Sequence, residues 1–395
     1  MFSRLGAVGA GRMLFAIVLA CAASPTMASD KSQQAYWAGF AFSGTADALA
    51  VSAPHGKRVI ETRGDESLNA RLAQALSQRA PRHIELVHGA LAKLDGTTSA
   101  IAAAAALDRE LVSVEPIGDR YKVLVEIALQ ALFFDFREQQ VVASYPLTLQ
   151  YIDLLPHRPS SGDIDAMVAG LLYGDSEGAL ASVFARTLES ARLPNASVKR
   201  LQVGGTTVSD AMAARLPATV EAGHFRATLA HELSKAISSN TGIALLPPSS
   251  GSAIGGAMAT RFMDGRVYDL RIPEADYVVS LTVDAPRQGV VTETAAMRTL
   301  LYGAFFEVAV VEPFSGREFF RQPLRKGATK IVPASQWEVD DWSASFETLL
   351  AGLDAFGGAA AARPDSRAWL AEQKPGGRPL QQQIRALQEL IQSCR

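Results

Sequence analysis

At 395 residues and 48% apolar composition, the chain is long enough for two or three domains with cores of their own. A net charge of −2, with 38 basic against 40 acidic residues and no basic stripe, argues against nucleic acid as a partner. With only two cysteines, Cys21 and Cys394, a disulfide-rich scaffold is excluded.

Residues 1–28 read as a secretory signal peptide. Arg4 and Arg12 form its positive start and residues 13–23 its apolar stretch. Pro25 breaks that stretch, and Thr26, Met27 and Ala28 supply a cleavage site before Ser29. A membrane span takes about 20 apolar residues, more than this segment has. Val18-Leu19-Ala20 before Cys21 offers a rival reading, an outer-membrane lipoprotein anchored through Cys21, but Leu19 is bulky for such a signal. The expected location is therefore periplasmic or secreted. Cleavage leaves Cys394 alone, so no disulfide forms within the mature chain, and it shifts the net charge to about −4.

The elements that follow come in two matching series. In the first, residues 40–44 read as a strand leading into 45–53, and residues 54–65, with Gly56 and Gly64, as a loop. Leu68, Leu72, Ala75 and Leu76 recur at helical spacing behind a cap at Asp65 or Ser67, and Pro81 stops that helix. Residues 83–88 alternate as a strand does. The alanine run at 100–106 predicts a helix, because alanine has the highest helix propensity. Residues 121–153 form a strand pair turning at 137–140, and residues 163–193 a helix broken near Tyr173 and Gly174.

The second series begins near Lys199 with a strand at 201–206. A helix bearing Phe225, Leu229, Leu233 and Ile237 ends at Gly242 as a C-cap. A short strand at 243–246 is closed by Pro247 and Pro248. A weak helix at 253–263 answers the alanine run. Residues 275–283 open the sheet again, and residues 288–298 read as an insert absent from the first series. A hairpin turns at 313–318, and residues 337–356 form the closing helix. Phe133-Phe134 and Phe305-Phe306 each lie in the strand before the turn and put one aromatic on each face. A repeat of this kind outranks any local motif as a guide to architecture. The expected fold is α+β with mixed α/β layers: two tandem copies of a small sheet-plus-helices domain, at 35–195 and 199–357.

Residues 358–395 read as a basic linker and a final helix opened by Pro379. Leu380, Ile384, Leu387 and Ile391 form an apolar seam, with Cys394 at the next seam position; Gln381, Gln382, Gln383, Arg385 and Gln388 are polar. These five seam residues are the candidate interaction residues. Two heptads are too short to stand alone. The seam either docks on the chain's own domain or joins a homo-oligomer, bridged at Cys394 in an oxidising compartment.

Motifs that carry chemistry are sparse. His231-Glu232 opens like a metalloprotease helix, but Lys235 occupies the second ligand position, so the zinc reading fails and His231 reads as an exposed helix residue. His83 and His88, five apart on a strand, face opposite sides. The glycine-rich stretch at 251–256 lacks the Gly-Lys-Ser/Thr ending of a phosphate loop. Asp340 and Asp341 suit the positive end of the closing helix, and Asp153, Asp163 and Asp165 flank a loop and cap the next helix. Tyr36, Trp37, Phe40 and Phe42 read as the core of a first strand. No catalytic residue, metal or cofactor is expected.

The stretch Glu274-Ala275-Asp276-Tyr277-Val278-Val279-Ser280-Leu281, with the turn Ser315-Gly316-Arg317-Glu318, resembles a small periplasmic α/β module. That module occurs in the amino-terminal domain of the Tol-system propeller protein, in the curli secretion channel lipoprotein, and in outer-membrane lipoproteins that activate peptidoglycan synthases. In the first series Asp119-Arg120-Tyr121-Lys122 and residues 137–140 stand at the matching places and fit less well. The resemblance implies an envelope binding or assembly module and carries over no catalytic residue. The expected function is a non-enzymatic envelope protein that binds a protein partner, peptidoglycan or the outer membrane through its paired domains. The alternative is a hydrolase of envelope polymer, with carboxylates from residues 153–165 or 340–341 placed across an inter-domain cleft.

Overall fold

The computed structural model describes residues 33–395 apart from 45, 89–99, 196, 218–219, 249–252, 255–256, 263–266, 337–338 and 374–378. The signal reading of residues 1–28, Cys21 and most of the glycine-rich stretch lie outside the described residues. No helix among the described residues is long and apolar enough to cross a membrane.

The first half holds β1 (Gln33–Ser43), α1 (Ala46–Ser52), α2 (Pro54–Arg63), α3 (Asp65–Gln78), β2 (Ile84–Val87), β3 (Ile101–Ile117), β4 (Arg120–Asp135), β5 (Gln140–Leu155), α4 (Ser161–Tyr173) and α5 (Leu180–Glu189). The second half opens with β6 (Leu201–Val203), β7 (Thr207–Val208), α6 (Asp210–Ala213) and α7 (Ala222–Thr241). It continues with β8 (Ala253–Ile254), β9 (Ala257–Phe262), β10 (Val267–Arg271), β11 (Tyr277–Glu293), β12 (Met297–Glu312) and β13 (Arg317–Pro333). Three helices end the chain: α8 (Asp341–Ala360), α9 (Pro364–Ala371) and α10 (Leu380–Ser393).

The fold is α+β, with two sheets that each carry helices. In the first sheet β1 runs parallel to β3, and β3, β4 and β5 follow antiparallel. In the second, β6 runs parallel to β11, and β11, β12 and β13 follow antiparallel. β2 lies parallel beside β1, as Leu246 lies parallel beside Gln202 of β6. Asp276 fastens the start of β6 to β11: it accepts from the Arg200 amide at 2.8 Å and from Lys199 Nζ at 2.7 Å.

The alanine run is a strand, not a helix. Ala102–Ala106 lie in β3 between β1 and β4, buried on both faces. Ala103 and Ala105 face the helices with Phe133 and Leu129. Ala102, Ala104 and Ala106 face a second cluster with Leu132, Phe134, Met258 and Leu270. That cluster exists because residues 253–254, 257–262 and 267–271 are strands rather than helix. β9 and β10 leave their own half and join the first sheet, and β9 returns to pair with β1. Six strands thereby close into a ring whose narrow interior suits alanine. Helix propensity is worth under 1 kcal/mol per residue, less than the two-sided strand pairing and burial that override it.

Three further expectations change. Residues 288–298 are no insert but the far end of the β11–β12 hairpin, matched in length by β3–β4. Residues 54–63 are helix α2 rather than loop. Its first-turn amides at His55 and Gly56 donate to the two oxygens of Glu110 on β3, at 2.7 and 2.8 Å, so a carboxylate from a distant strand serves as the cap that the local sequence lacks. The stretch read as linker continues α8 to Ala360 and then forms α9. By contrast, Gly242 ends α7 with φ of 73°, Asp340 caps α8 through Ser343 N–H at 2.9 Å, and Trp37, Phe40 and Phe42 are core, as the sequence predicts, while Tyr36, expected with them, is half-buried and its hydroxyl donates to Gln34 at 3.3 Å.

Candidate interaction surfaces

The seam of the last helix faces inward. Leu380, Ile384, Leu387, Ile391 and Cys394 are buried in the second half's core with Leu390, beside Leu201, Val279, Val310 and Phe356. The docked arrangement is the one the structure adopts. Gln383 departs from the expected polar face: it is buried, and its Oε1 accepts from the Arg321 backbone N–H of β13 at 2.8 Å. Burial pushes the Cys394 thiol up to about 12, so it is neither exposed nor a thiolate near neutral pH. We expect the native protein to run as a monomer on non-reducing gels and to react with a thiol reagent only after denaturation. A disulfide-linked dimer band from native envelope material would contradict the docked helix.

The loop carboxylates are taken up by structural bonds. Asp163 completes a capping box with Ser160, at 2.8 Å to its amide and 2.7 Å to its hydroxyl. Asp165 accepts from Arg58, and it meets His55 Nδ1 at 2.6 Å. Asp153 accepts from the Tyr151 hydroxyl at 2.8 Å and the Leu154 amide at 2.7 Å. Asp153 and Asp163 line an open groove of about 570 Å³ over Leu155, Met167 and Leu171. Asp341 accepts from the Tyr302 hydroxyl at 2.6 Å.

A second cleft holds acids that are buried, Glu126 and Glu232. Helix α7 is buried on most sides. One face meets its own half at β6 and α8, and the other lies on β5 of the first half. His231 is therefore buried, not exposed. Its Nε2 lies 3.1 Å from the Leu147 carbonyl, and burial holds its pKa below the usual imidazole range. Thr148 Oγ1 donates to Glu232 at 2.7 Å, and Lys235 pairs with the same carboxylate. Burial works to raise the Glu232 pKa, but Lys235 and His231 pull it below the ordinary value. Opposite, Glu126 of β4 is buried and accepts from Gln150 Nε2 at 2.8 Å. Burial first, and Glu232 second, raise Glu126 to about 7. Deeper in, Gln130 donates to Asp108 at 2.8 and 3.0 Å and accepts from Ser144 at 2.5 Å. The cleft beside Glu126, Glu232 and Lys235 holds about 340 Å³. The sequence singles out His231, Glu232 and Lys235 only as a failed metal motif, and Glu126 not at all, although a lone Glu126 within Val-Leu-Val-Glu-Ile-Ala-Leu is a usable signal: a charge in an apolar strand needs a partner.

The second sheet carries a different surface. Beyond Arg287 the three-stranded ribbon of β11, β12 and β13 is largely exposed on the face of Met297, Leu301 and Ile331, while Tyr302 and Val332 on the other face are buried. Val290, Val291, Met297, Leu301 and Ile331 stand in solvent there, with Ile331 65% and Leu301 43% exposed. Met297 and Leu301 share one face of β12 with Phe305, over whose ring Arg287 lies at 5.0 Å. Phe306 points the other way, into the core beneath α8.

No protein-family model and no curated protein matches the chain. Among solved structures, a minor lipoprotein from Acinetobacter baumannii is 10% identical and matches over 43% of this chain and 94% of its own, with a TM-score of 0.21. A protein described as a lipoprotein from Caulobacter crescentus is 14% identical over 44% and 93%, with a TM-score of 0.18. A Xanthomonas campestris protein of the DUF330 family is 10% identical over 45% and 95%, with a TM-score of 0.20.

Proposed function

We propose that this is an exported envelope protein acting as a non-enzymatic binding or assembly module, built from two tandem copies at 35–195 and 199–357. The observation that carries the reading is the bare outer face of the second ribbon. Counted from the start of each middle strand, Leu124 of β4 corresponds to Leu301 of β12. Leu124 is 7% exposed, and its strand is covered by the second half, where Lys122 meets Asp340 at 3.3 Å. Leu301 has no such cover. Contiguous exposed apolar side chains of this kind mark contact surfaces. The export sequence and the envelope-module resemblance of residues 274–281 support an envelope location, and the partner best suited to an apolar ribbon with a polar rim is an envelope protein.

A pull-down with tagged mature protein from its own envelope tests this. One stoichiometric protein partner is expected, lost on replacing both Leu301 and Ile331 with Ser while the circular dichroism spectrum is unchanged. Recovery of lipid or peptidoglycan fragments without protein sinks the reading. Intact mass of the native protein tests the export step: loss of residues 1–28 is expected, and a diacylglycerol adduct on Cys21 makes it a lipoprotein instead. The hydrolase reading has one observation in its favour, Glu126 near 7 beside a cleft between the halves. Turnover of isolated peptidoglycan by the wild type, lost in Glu126→Gln, is its test.

A further inference from the structure

The two halves close the near part of the same sheet edge by different means. In the first, Ser144 and Leu245 exchange both backbone hydrogen bonds, at 2.8 and 3.0 Å, and β10 joins at Gln140. In the second, the counterpart β13 ends its sheet. The near part of that edge is closed by side chains. Gln383 Oε1 accepts from Arg321 N–H at 2.8 Å and Gln373 Oε1 from Arg325 N–H at 3.0 Å, while Trp369 Nε1–H donates to the Arg325 carbonyl at 3.2 Å. Pro323, between them, has no N–H to offer.

Pairing of β13 with β12 runs without a register shift from Phe320 to Pro333. The outward direction at Arg321 and Arg325 therefore repeats at every second residue. The N–H and C=O groups of Gly327, Thr329 and Ile331 point away from β12, and among the described residues they meet no partner. Charge beside this stretch is one-sided. Residues 287–301 and 325–333 carry Arg287, Arg298, Arg325, Lys326 and Lys330 against Glu293.

We propose that residues 327–331 of β13 take up an extended acidic segment of a partner protein as an added strand of the second sheet. The proposal rests on the reading of the ribbon as a binding surface and names what that surface recognises. Backbone groups of the added strand satisfy those of Gly327, Thr329 and Ile331. Its carboxylates meet Lys326 and Lys330, and its alternate apolar residues extend the patch of Met297, Leu301 and Ile331. A second copy fits poorly: antiparallel self-pairing brings Lys326 and Lys330 of both chains together, and like charges across strands destabilise. Edge lysines of this kind turn away strands in general, but they attract one of opposite charge.

The test uses the mature chain and fluorescent eight-residue peptides, read by anisotropy. The probe alternates Glu and Val. One control replaces Glu with Lys, and another methylates alternate backbone nitrogens of the acidic peptide. The acidic peptide is expected to bind, with both controls weaker by about tenfold or more. Thr329→Pro removes an outward N–H, as Pro323 already does nearby, and is expected to weaken binding about tenfold with thermal unfolding unchanged. If that variant does not fold, Lys330→Glu carries the test: it weakens the acidic peptide and strengthens the lysine peptide. Equal binding of the methylated peptide, or no binding of the acidic one, overturns the proposal. So does cosedimentation of the protein with phosphatidylglycerol–phosphatidylethanolamine vesicles in place of peptide binding. In the envelope pull-down, a partner kept by Thr329→Pro but lost with the Leu301 and Ile331 pair replaced overturns strand addition and leaves the ribbon as a binding surface. A partner kept by all variants removes both.

Discussion

Replacing Leu387 with Ala is expected to lower the free energy of unfolding by about 2–5 kcal/mol, the range for a buried leucine whose cavity does not collapse. Leu387 is 2% exposed and sits on α10 among Leu201, Val279, Val310 and Phe356. Ending the chain at Gln373 goes further. It removes Leu380, Ile384, Leu387, Leu390 and Ile391, each contributing about 1.5–3 kcal/mol by burial. The summed loss is comparable to the whole stability of an ordinary domain, about 5–15 kcal/mol. The truncated protein is expected to aggregate or to unfold without cooperativity, while the exposed-site variant Gln382→Ala behaves as wild type. Urea titrations followed by circular dichroism decide it. An unchanged midpoint for Leu387→Ala means that the helix is not docked in solution.

The second large effect is pH-dependent. Glu126 is held up to about 7 in the folded protein, by burial and then by Glu232, against about 4.3 in an unfolded chain. A raised carboxyl pKa means that the folded state binds the proton more tightly. The stability this group contributes is full below about pH 4.3 and is lost as pH rises through about 7. Each unit of difference is worth about 1.4 kcal/mol, so the whole swing is a few kcal/mol. Glu126→Gln keeps a polar partner for Gln150 and carries no charge. It is expected to stabilise the protein by about 1–3 kcal/mol at about pH 8, to do little at about pH 4, and to flatten the decline between them. Urea midpoints across that range are the measurement. Parallel wild-type and variant curves place the carboxylate in contact with water and remove the effect.

Glu232, one helix away, behaves in the opposite sense because it has what Glu126 lacks. Lys235 and Thr148 meet its carboxylate directly. The same pair, His231 and Glu232, looks in sequence like a failed metal motif. In the fold it is the polar seam by which α7 settles on β5, with Lys235 filling the ion-pair role that made the zinc reading fail.

What the sequence determined by itself was the α+β class, the end of α7 at Gly242, the cap of α8 at Asp340 and the apolar seam of α10. Those depend on neighbours a few residues apart: Gly242 at a left-handed cap, Asp340 capping Ser343, and apolar spacing at Leu380, Ile384 and Leu387. Tertiary structure alone decided the rest. The alanine run became the centre of a sheet because β1 and β4 flank it and both its faces are buried, its small side chains leaving space in the ring for Leu132, Phe134, Met258 and Leu270. Residues 54–63 became helical because Glu110, distant in sequence, caps them. The docked helix seam, the raised carboxyl of Glu126 and the open stretch of β13 each depend on which surfaces meet, since burial and pairing across the fold outweigh local preferences of less than about 1 kcal/mol per residue.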